Sequence, residues 1–148
     1  MRVKTHIISE QDTEEVRLYI RQVTPDLENL REYIEMEKFR SQILLCNREK
    51  EQCRILLSTI FYIESIQEIQ YIHTTNGIYT TRQRLYVLEK MLPDNFVRVS
   101  KSTLLNMDTV KSYKPLTGGL MFAAFPNEEG TYISRRYVKD LKNKFRKE

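Results

Sequence analysis

The spacing of apolar residues changes near residue 40, and this change divides the chain into two parts. Before it, Val3–Ser9 has the apolar content of a strand, and two runs of apolar residues at helical spacing follow. Thr24-Pro25-Asp26 separates these two runs. We therefore expect residues 1–40 to form a small β-α-α extension that packs on the rest of the chain, mediates dimerisation or binds a partner.

From residue 41 onward, short alternating bursts of apolar and polar residues predict many short strands. The clearest hairpin is Gln70–Arg82 (QYIHTTNGIYTTR), where Asn76-Gly77 suits the positive φ angles of a type I′ turn. Helical spacing returns over Leu85–Leu92, which Pro93 ends, and again after Ser134. Residues 41–148 are therefore predicted to be mainly β, with small sheets and short helices.

A polar cluster interrupts the apolar stretch Phe96–Asn106 (FVRVSKSTLLN). Ser100, Lys101 and Ser102 separate the strand-like FVRV from a second apolar run. Leu104 and Leu105 are expected in the core, and Asn106 is expected to satisfy nearby backbone groups. The cluster itself could cap local backbone or face a partner rich in hydrogen-bond acceptors.

The composition is that of an ordinary folded protein with an uneven charge. The chain has 148 residues, 41% apolar and 30% charged, with a net charge of +4. Residues 55–148 hold 14 of the 24 Lys and Arg but only 9 of the 20 Asp and Glu. This excess of positive charge favours a polyanionic partner.

No stretch has the length of a membrane span, and no signal peptide is visible. The spacing of Cys46 and Cys53 fits neither a CxxC site nor a disulfide framework. We therefore expect two reduced thiols in a cytoplasmic protein.

The sequence carries none of the usual signs of an enzyme. His6 and His73 are the only histidines, and a single strand histidine is more often a polar surface residue than a catalyst. There is no Gly-rich phosphate loop, no metal-ligand cluster and no nucleophile elbow. We expect no catalysis, no cofactor, no metal and no small-molecule substrate.

A second basic focus is Arg135-Arg136, which follows Ser134 at a predicted helix start. The free N–H groups and the positive dipole end of a helix N-terminus suit a phosphate. Two arginines at that end are locally unfavourable, which points to a functional reason for them. The alternative, that both arginines simply face solvent, is equally open from the residues alone.

Four segments together resemble the LytTR-type DNA-binding domain of bacterial transcription regulators. They are Ile60–Ser65 (IFYIES), Ile72–Arg82 (IHTTNGIYTTR), Leu88–Pro115 (LEKMLPDNFVRVSKSTLLNMDTVKSYKP) and Ile133–Phe145 (ISRRYVKDLKNKF), and the resemblance spans residues 50–147. It implies an elongated, mainly β fold of small sheets with short helices, which is not a helix-turn-helix. In this family, loops read successive major grooves of DNA.

The resemblance also implies which residues contact DNA. The family word F-x-R-x-H-R-S stands here as Phe96–Ser102, with Ser100 where the family often has His and Lys101 where it often has Arg or Asn. Lys101 would reach a guanine edge or a phosphate, and Ser100 and Ser102 would bond phosphates.

Four more positions follow from the same resemblance. Arg136 is the second contact, and Arg135 is a phosphate contact beside it. A third contact maps to Glu68–Gln70, where Gln70 would pair with adenine. Lys114 is a candidate backbone contact, with an ordinary surface role equally open.

The function implied is a sequence-specific, double-stranded DNA-binding transcription regulator without a phosphorylation receiver domain of its own. The resemblance implies paired direct repeats in a promoter and a homodimer at least on DNA, and a small membrane protein is a candidate regulator. The alternative is a protein-interaction module whose basic loops dock an acidic protein or an anionic membrane surface. A poorer alternative is single-stranded nucleic-acid binding, which needs an exposed aromatic platform.

Overall fold

A computed structural model describes residues 1–37, 39 and 42–147, with side chains up to residue 145. The chain divides into two compact units, Met1–Ser41 and Gln42–Glu148. Within the described ranges, no helix has the length and apolar character needed to cross a bilayer.

The first unit contains the helix α1 (Pro25–Glu35), as the second apolar run predicts. Thr24 caps it, since its Oγ1 accepts a hydrogen bond from the Leu27 amide at 3.3 Å. Pro25 occupies the first turn, where no intrahelical donor is lost, and Asp26 and Glu28 lie at the positive end of the helix dipole.

The rest of the predicted β-α-α arrangement is wrong. The described backbone has no strand over Val3–Ser9 and no helix over residues 12–23. A strand needs a partner for its backbone groups, and a short helix needs an apolar face that is packed. Among the described residues, no strand pairs with Val3–Ser9. The side chains of Val16, Tyr19 and Val23, which would form the packed face of the helix, are exposed. A single turn, closed by the Asp12 amide on the Ser9 carbonyl at 3.1 Å, is the local structure there.

The larger sheet of the second unit has seven antiparallel strands in the order β2-β1-β5-β4-β3-β7-β6. These strands are β1 (Ile43–Arg48), β2 (Glu51–Leu56), β3 (Ile60–Ile66), β4 (Ile69–Thr74), β5 (Gly77–Thr81), β6 (Phe96–Ser100) and β7 (Thr103–Asn106). The helix α2 (Leu85–Met91) lies between β5 and β6 in the chain. It ends before Pro93, as predicted, because the residue before a proline avoids the helical conformation.

The β4–β5 hairpin forms where the sequence predicts it, but its turn differs from the predicted type I′ turn. Thr74 pairs with Gly77, so the two turn residues are Thr75 and Asn76. Gly77 has a φ of +111°, whereas Asn76 does not have a positive φ. The Thr74 hydroxyl explains the shift, because it accepts from the Asn76 amide at 3.0 Å and donates to the Gly77 carbonyl at 2.8 Å.

A smaller sheet and a helix complete the second unit. The sheet has three antiparallel strands in the order β10-β9-β8, namely β8 (Ser112–Pro115), β9 (Met121–Ala124) and β10 (Gly130–Ile133). The helix α3 (Arg135–Lys147) begins directly after Ser134, as the sequence predicts. The mainly β fold class of this part of the chain is therefore confirmed.

Strands β6 and β7 lie between two hydrophobic cores. The first core contains Phe96 and Leu104, together with the buried leucines of α2. The second contains Val97 and Leu105, together with buried residues of the smaller sheet and α3. Successive side chains of a strand point to opposite faces, so both faces of this hairpin are covered. Leu104 and Leu105 are both fully buried, which confirms that they are core residues.

Asn106 is a buried polar residue that joins three parts of the second unit. Its side chain is 1% exposed, and its Nδ2 donates to the Ile60 carbonyl at 2.9 Å. Its Oδ1 accepts from Asn95 Nδ2 at 2.7 Å and from the Asp108 amide at 3.1 Å. The expectation that Asn106 satisfies nearby backbone groups is confirmed, and the side chain also reaches across to β3.

We predict that Asn106→Ala lowers the free energy of unfolding by about 2–3 kcal/mol, because it leaves buried donors and acceptors without partners. Chemical denaturation of the purified protein measures this loss. Asn143→Ala, an exposed position on α3, is the matched control and should leave stability nearly unchanged. Equal stability of the two variants would show that the Asn106 hydrogen bonds contribute nothing.

Cys46 and Cys53 are free thiols that lie directly opposite each other on β1 and β2. Cys46 is 2% exposed, and burial, assisted by Cys53, raises the pKa of its thiol to about 11. Only the thiolate reacts readily, so a raised pKa makes Cys46 unreactive at neutral pH.

We predict that a thiol reagent at pH 7.5 labels Cys53 at least about tenfold faster than Cys46. Labelling of Cys46 should accelerate as the pH rises toward 11, because its thiolate fraction increases. Mass spectrometry of the Cys46→Ser and Cys53→Ser variants assigns each rate. Equal labelling rates at neutral pH would contradict the burial of Cys46.

Candidate nucleic-acid interface

The Ser100-Lys101-Ser102 cluster is the tip of the β6–β7 hairpin, with Lys101 and Ser102 as its two turn residues. The Lys101 carbonyl accepts from Arg98 Nη1 at 2.7 Å, and the Ser102 carbonyl accepts from the Ser65 amide at 2.7 Å. Lys101 is exposed, and its ammonium group has no hydrogen-bond or ion-pair partner among the described residues. A turn hydrogen-bonded at both of its carbonyls therefore presents a cation to solvent.

The two serines of this turn have different surroundings. Ser100 is partly buried, and its Oγ accepts from the Ser102 amide at 3.2 Å. Its Oγ also lies 3.5 Å from the Ser102 Oγ, so one of these two hydroxyls donates to the other. Ser102 is exposed. One serine therefore does cap local backbone, and the pair of hydroxyls keeps one donor for a ligand.

A β-bulge connects this turn to the start of α3. Arg98 pairs with Leu104 and Ser100 pairs with Thr103, so Val99 is an extra residue on β6. The Val99 carbonyl accepts instead from the Ser134 amide at 2.9 Å. Because Ser134 immediately precedes α3, this bond holds the first turn of the helix beside the Lys101 turn.

The first turn of α3 carries Arg135 and Arg136 and no acidic residue. Both arginines are exposed. The stem of Arg135 lies on Gly119, where an added Cβ would come within 2.7 Å of the Arg135 Cγ and Cδ atoms. Gly119 also has a φ of +83°, so the close approach and the backbone both require glycine. Arg135 therefore packs on the connection between β8 and β9, and both arginines extend the basic surface that begins at Lys101.

The β3–β4 turn lies at the same end of the larger sheet. Ile66 pairs with Ile69, so Gln67 and Glu68 form the turn, and both have positive φ angles, of 50° and 68°. The Ser65 bond to Ser102 places this turn next to the Lys101 turn. Two non-glycine residues in the left-handed region are unusual and cost stability, which is typical of functional turns.

The prediction that Gln70 pairs with adenine is wrong for this structure. The Gln70 side chain is 1% exposed, and its Nε2 donates to the Gln83 carbonyl at 2.6 Å. A base edge cannot reach an amide that is buried and already bonded. Gln70 instead ties β4 to the segment after β5, whereas Gln67 in the β3–β4 turn is exposed.

Arg82 and Arg84 lie at the same end of the sheet, and neither was predicted from the sequence as a contact. Gln70 pairs with Thr81, so the residues after β5 lie beside the Gln67–Glu68 turn. Arg84 Nη1 is 3.6 Å from Glu68 Oε1, although these side chains are 57% and 78% exposed. Arg82 is also exposed. The register of the predicted hairpin could have identified both arginines, because it places residue 82 beside the β3–β4 turn.

Lys114 lies on the smaller sheet, where it is exposed on β8 and pairs with Phe122. Phe122 in turn pairs with Tyr132 on β10, and their rings meet edge to face at 5.1 Å. Lys114, Phe122 and Tyr132 therefore lie in one row across the three strands. Tyr132 is two residues before Ser134, which precedes α3 and its two arginines. The structure does not place Lys114 in the Lys101 turn itself.

His73 is held within the sheet. Its ring stacks on Tyr62 at 4.1 Å, and its Nε2 lies 2.9 Å from Glu64 Oε1. The Tyr62 ring also stacks on Phe125 at 5.7 Å, and burial raises the pKa of the Tyr62 hydroxyl. These contacts give His73 a packing role between the larger sheet and the second core.

Residues 50–146 match the family model described as the LytTr DNA-binding domain. An uncharacterized HTH-type transcriptional regulator of Staphylococcus aureus (strain NCTC 8325 / PS 47) is 31% identical over 105 residues, which is 71% of this chain and 71% of the relative. A protein of strain MRSA252 with the same description is 30% identical over the same lengths.

The fold also matches a solved structure, a LytTr DNA-binding domain from Bacillus cereus. The TM-score is 0.66 at 20% sequence identity, and the match covers 69% of this chain and 94% of that one. The name of the staphylococcal relatives mentions a helix-turn-helix. Here five strands separate α2 from α3, so the part of the second unit that the structure describes has no pair of helices joined by a turn. By its sequence match and its fold, this chain belongs to the LytTr DNA-binding domain family.

Proposed function

We propose that this protein is a sequence-specific, double-stranded DNA-binding transcription regulator that reads major grooves with the loops at one end of its larger sheet. The observation that carries the proposal is the bond between Ser134 and Val99, which puts the exposed Lys101 turn beside Arg135 and Arg136. Family membership and the regulator name of the relatives support it. They give no support to the alternative of docking an acidic protein or a membrane surface.

In this proposal Lys101 and Arg136 are the base-reading residues. The hairpin turn is narrow enough to enter a major groove, where the Lys101 ammonium group can donate to guanine O6 and N7. The Arg136 guanidinium can do the same with two parallel donors. The dipole of α3 adds positive potential near Arg136, which lies in the first turn of this helix.

The neighbouring donors would bond the phosphate backbone and fix the register of the domain on DNA. Arg135, Ser100, Ser102 and Lys114 were already expected from the sequence. Arg82 and Arg84 are additions from the structure, because they are exposed at the same end. The Glu68 carboxylate would repel phosphates, and its proximity to Arg84 reduces that cost.

Gln67 takes the place of Gln70 as the proposed third contact. Its side chain is exposed at a turn next to Lys101, and a glutamine amide can pair with adenine through two hydrogen bonds. The positive φ angles at Gln67 and Glu68 are then the conformational cost of presenting this turn.

The partners follow from the same proposal. Two protomers would occupy paired direct repeats in a promoter, and the protein would act in the cytoplasm as a homodimer at least on DNA. Leu30, Tyr33 and Met36 of the first unit are exposed and apolar, which suits self-association or a small membrane-protein regulator. We retain residues 1–40 as the proposed segment for these contacts.

We predict that Lys101→Ala and Arg136→Ala each weaken binding to the duplex upstream of the protein's own gene by about 1–3 kcal/mol. Fluorescence anisotropy over a salt series measures this, with a scrambled duplex for comparison. The melting temperature should change little, because both side chains are exposed.

Lys50→Ala is the matched control, since Lys50 is an exposed lysine in the β1–β2 turn, at the opposite end of the sheet. It should leave discrimination between the two duplexes unchanged. An equal loss for Lys50→Ala and Lys101→Ala would mean that only net charge matters, and a loss that follows the melting temperature would make the residues structural.

We also predict opposite behaviour for two glutamines. Gln67→Ala should weaken binding to the native duplex by about 1–3 kcal/mol without a change in stability. Gln70→Ala should lower the free energy of unfolding by about 1–3 kcal/mol, because it removes a buried side chain together with its hydrogen bond to the Gln83 carbonyl. Anisotropy and thermal melting of both variants separate the two effects. Loss of binding by a fully stable Gln70→Ala protein would restore Gln70 as the contact.

A further inference from the structure

Arg98 differs from the other arginines near the Lys101 turn because its guanidinium is already engaged. Its Nε donates to Glu89 Oε2 at 2.9 Å, and its Nη1 donates to the Lys101 carbonyl at 2.7 Å. The Arg98 side chain is only 21% exposed and that of Glu89 is 38% exposed. Arg98 therefore faces into the protein and is a poor candidate for a phosphate contact.

The geometry of these two bonds links the turn to the core. A guanidinium is planar and rigid, so two bonds from different nitrogens fix the positions of both acceptors relative to each other. Glu89 lies on α2, which is anchored in the first core by Leu85 and Leu88. The Lys101 carbonyl is thus connected to a packed helix through one side chain.

The opposite side of the turn is held by a different element. The Ser102 carbonyl accepts from the Ser65 amide of β3. With Arg98 on one carbonyl and Ser65 on the next, the backbone of both turn residues is constrained. Loss of the Arg98 contact would leave the turn attached on one side only.

We propose that the Glu89–Arg98 pair positions the Lys101 turn for DNA, so that an acidic residue increases affinity for the specific site. This inference rests on the proposed function and deepens it. Glu89 and Arg98 are positioning residues, since they act through Lys101 and do not contact the duplex. Recognition sites need such a supporting layer, because a turn that is loose by about 1 Å loses its hydrogen-bond geometry.

The sign of the Glu89 effect separates this proposal from simple electrostatics. DNA is a polyanion, so removal of any exposed acid should strengthen binding to every duplex. If Glu89 positions the turn, its removal instead weakens binding to the native duplex while binding to a scrambled duplex stays equal or becomes tighter. If the ion pair only stabilised the fold, removal of Glu89 would leave binding of the folded protein to both duplexes equal or tighter.

The first measurement uses the free protein and needs no DNA. NMR order parameters of the Lys101 and Ser102 amides are compared in wild type, Glu89→Ala and Arg98→Lys. We expect them to fall from about 0.85 toward 0.6 in both variants, while those of the β1–β2 hairpin stay unchanged. Unchanged order parameters at Lys101 and Ser102 would overturn the proposal.

The second measurement is anisotropy on the native and scrambled duplexes at physiological salt. Glu89→Ala should bind the native duplex about tenfold more weakly and the scrambled duplex no more weakly than wild type. Glu51→Ala is the control, because it removes the same charge from an exposed position. Glu51 lies on β2, which is the edge strand farthest from β6 and the Lys101 turn. The affinity of this variant for both duplexes should stay equal or rise.

Tighter binding of Glu89→Ala to both duplexes, as in the control, would overturn the positioning role. So would a loss of native-duplex binding that matches a loss of folded protein in thermal melting. Equal binding of the two duplexes by wild type would overturn the proposed function instead. The order parameters would then decide separately whether the pair holds the turn.

Discussion

The hydrogen bond from the Ser134 amide to the Val99 carbonyl exists because β6 contains one residue more than β7 opposite it. In a regular ladder the Val99 carbonyl would face its strand partner. The bulge turns it toward the residue that starts α3, so the last helix begins beside the β6–β7 turn. The basic turn and the basic helix start, which are 34 positions apart in the chain (Lys101 and Arg135), become one surface through this contact.

The strands beneath this surface are buried on both faces. Leu104 faces the first core and Leu105 the second, so a one-residue shift of the β6–β7 hairpin would move the side chains of each core into the other and disrupt the packing of both. Asn106 adds a directional constraint, since its buried amide is bonded to β3 and to Asn95. The apolar residues supply the stability of the hairpin, and the polar ones fix its register.

The sequence predicted the features that depend on local periodicity, and it failed where tertiary contacts decide. The β4–β5 hairpin, α2 and the burial of Leu104 follow from spacing and turn residues alone. Gln70 was misassigned because the resemblance places the third contact only within Glu68–Gln70 and does not tell which of these side chains is buried; the Gln83 carbonyl that occupies its amide is 13 residues away. The strand predicted at Val3–Ser9 does not form, for the related reason that a sequence pattern does not reveal whether a partner strand is present.

An NMR titration of the labelled protein with the duplex upstream of its own gene tests most directly whether the loops form one surface. The amides of the Lys101 turn, the Gln67–Glu68 turn, Arg82–Arg84 and Arg135-Arg136 should shift together, with a single apparent affinity. The amides near Asn76, at the opposite end of the sheet, should stay unchanged. Shifts confined to one of these segments, or spread evenly over both ends, would contradict a single DNA-contacting end built on the Val99 bulge.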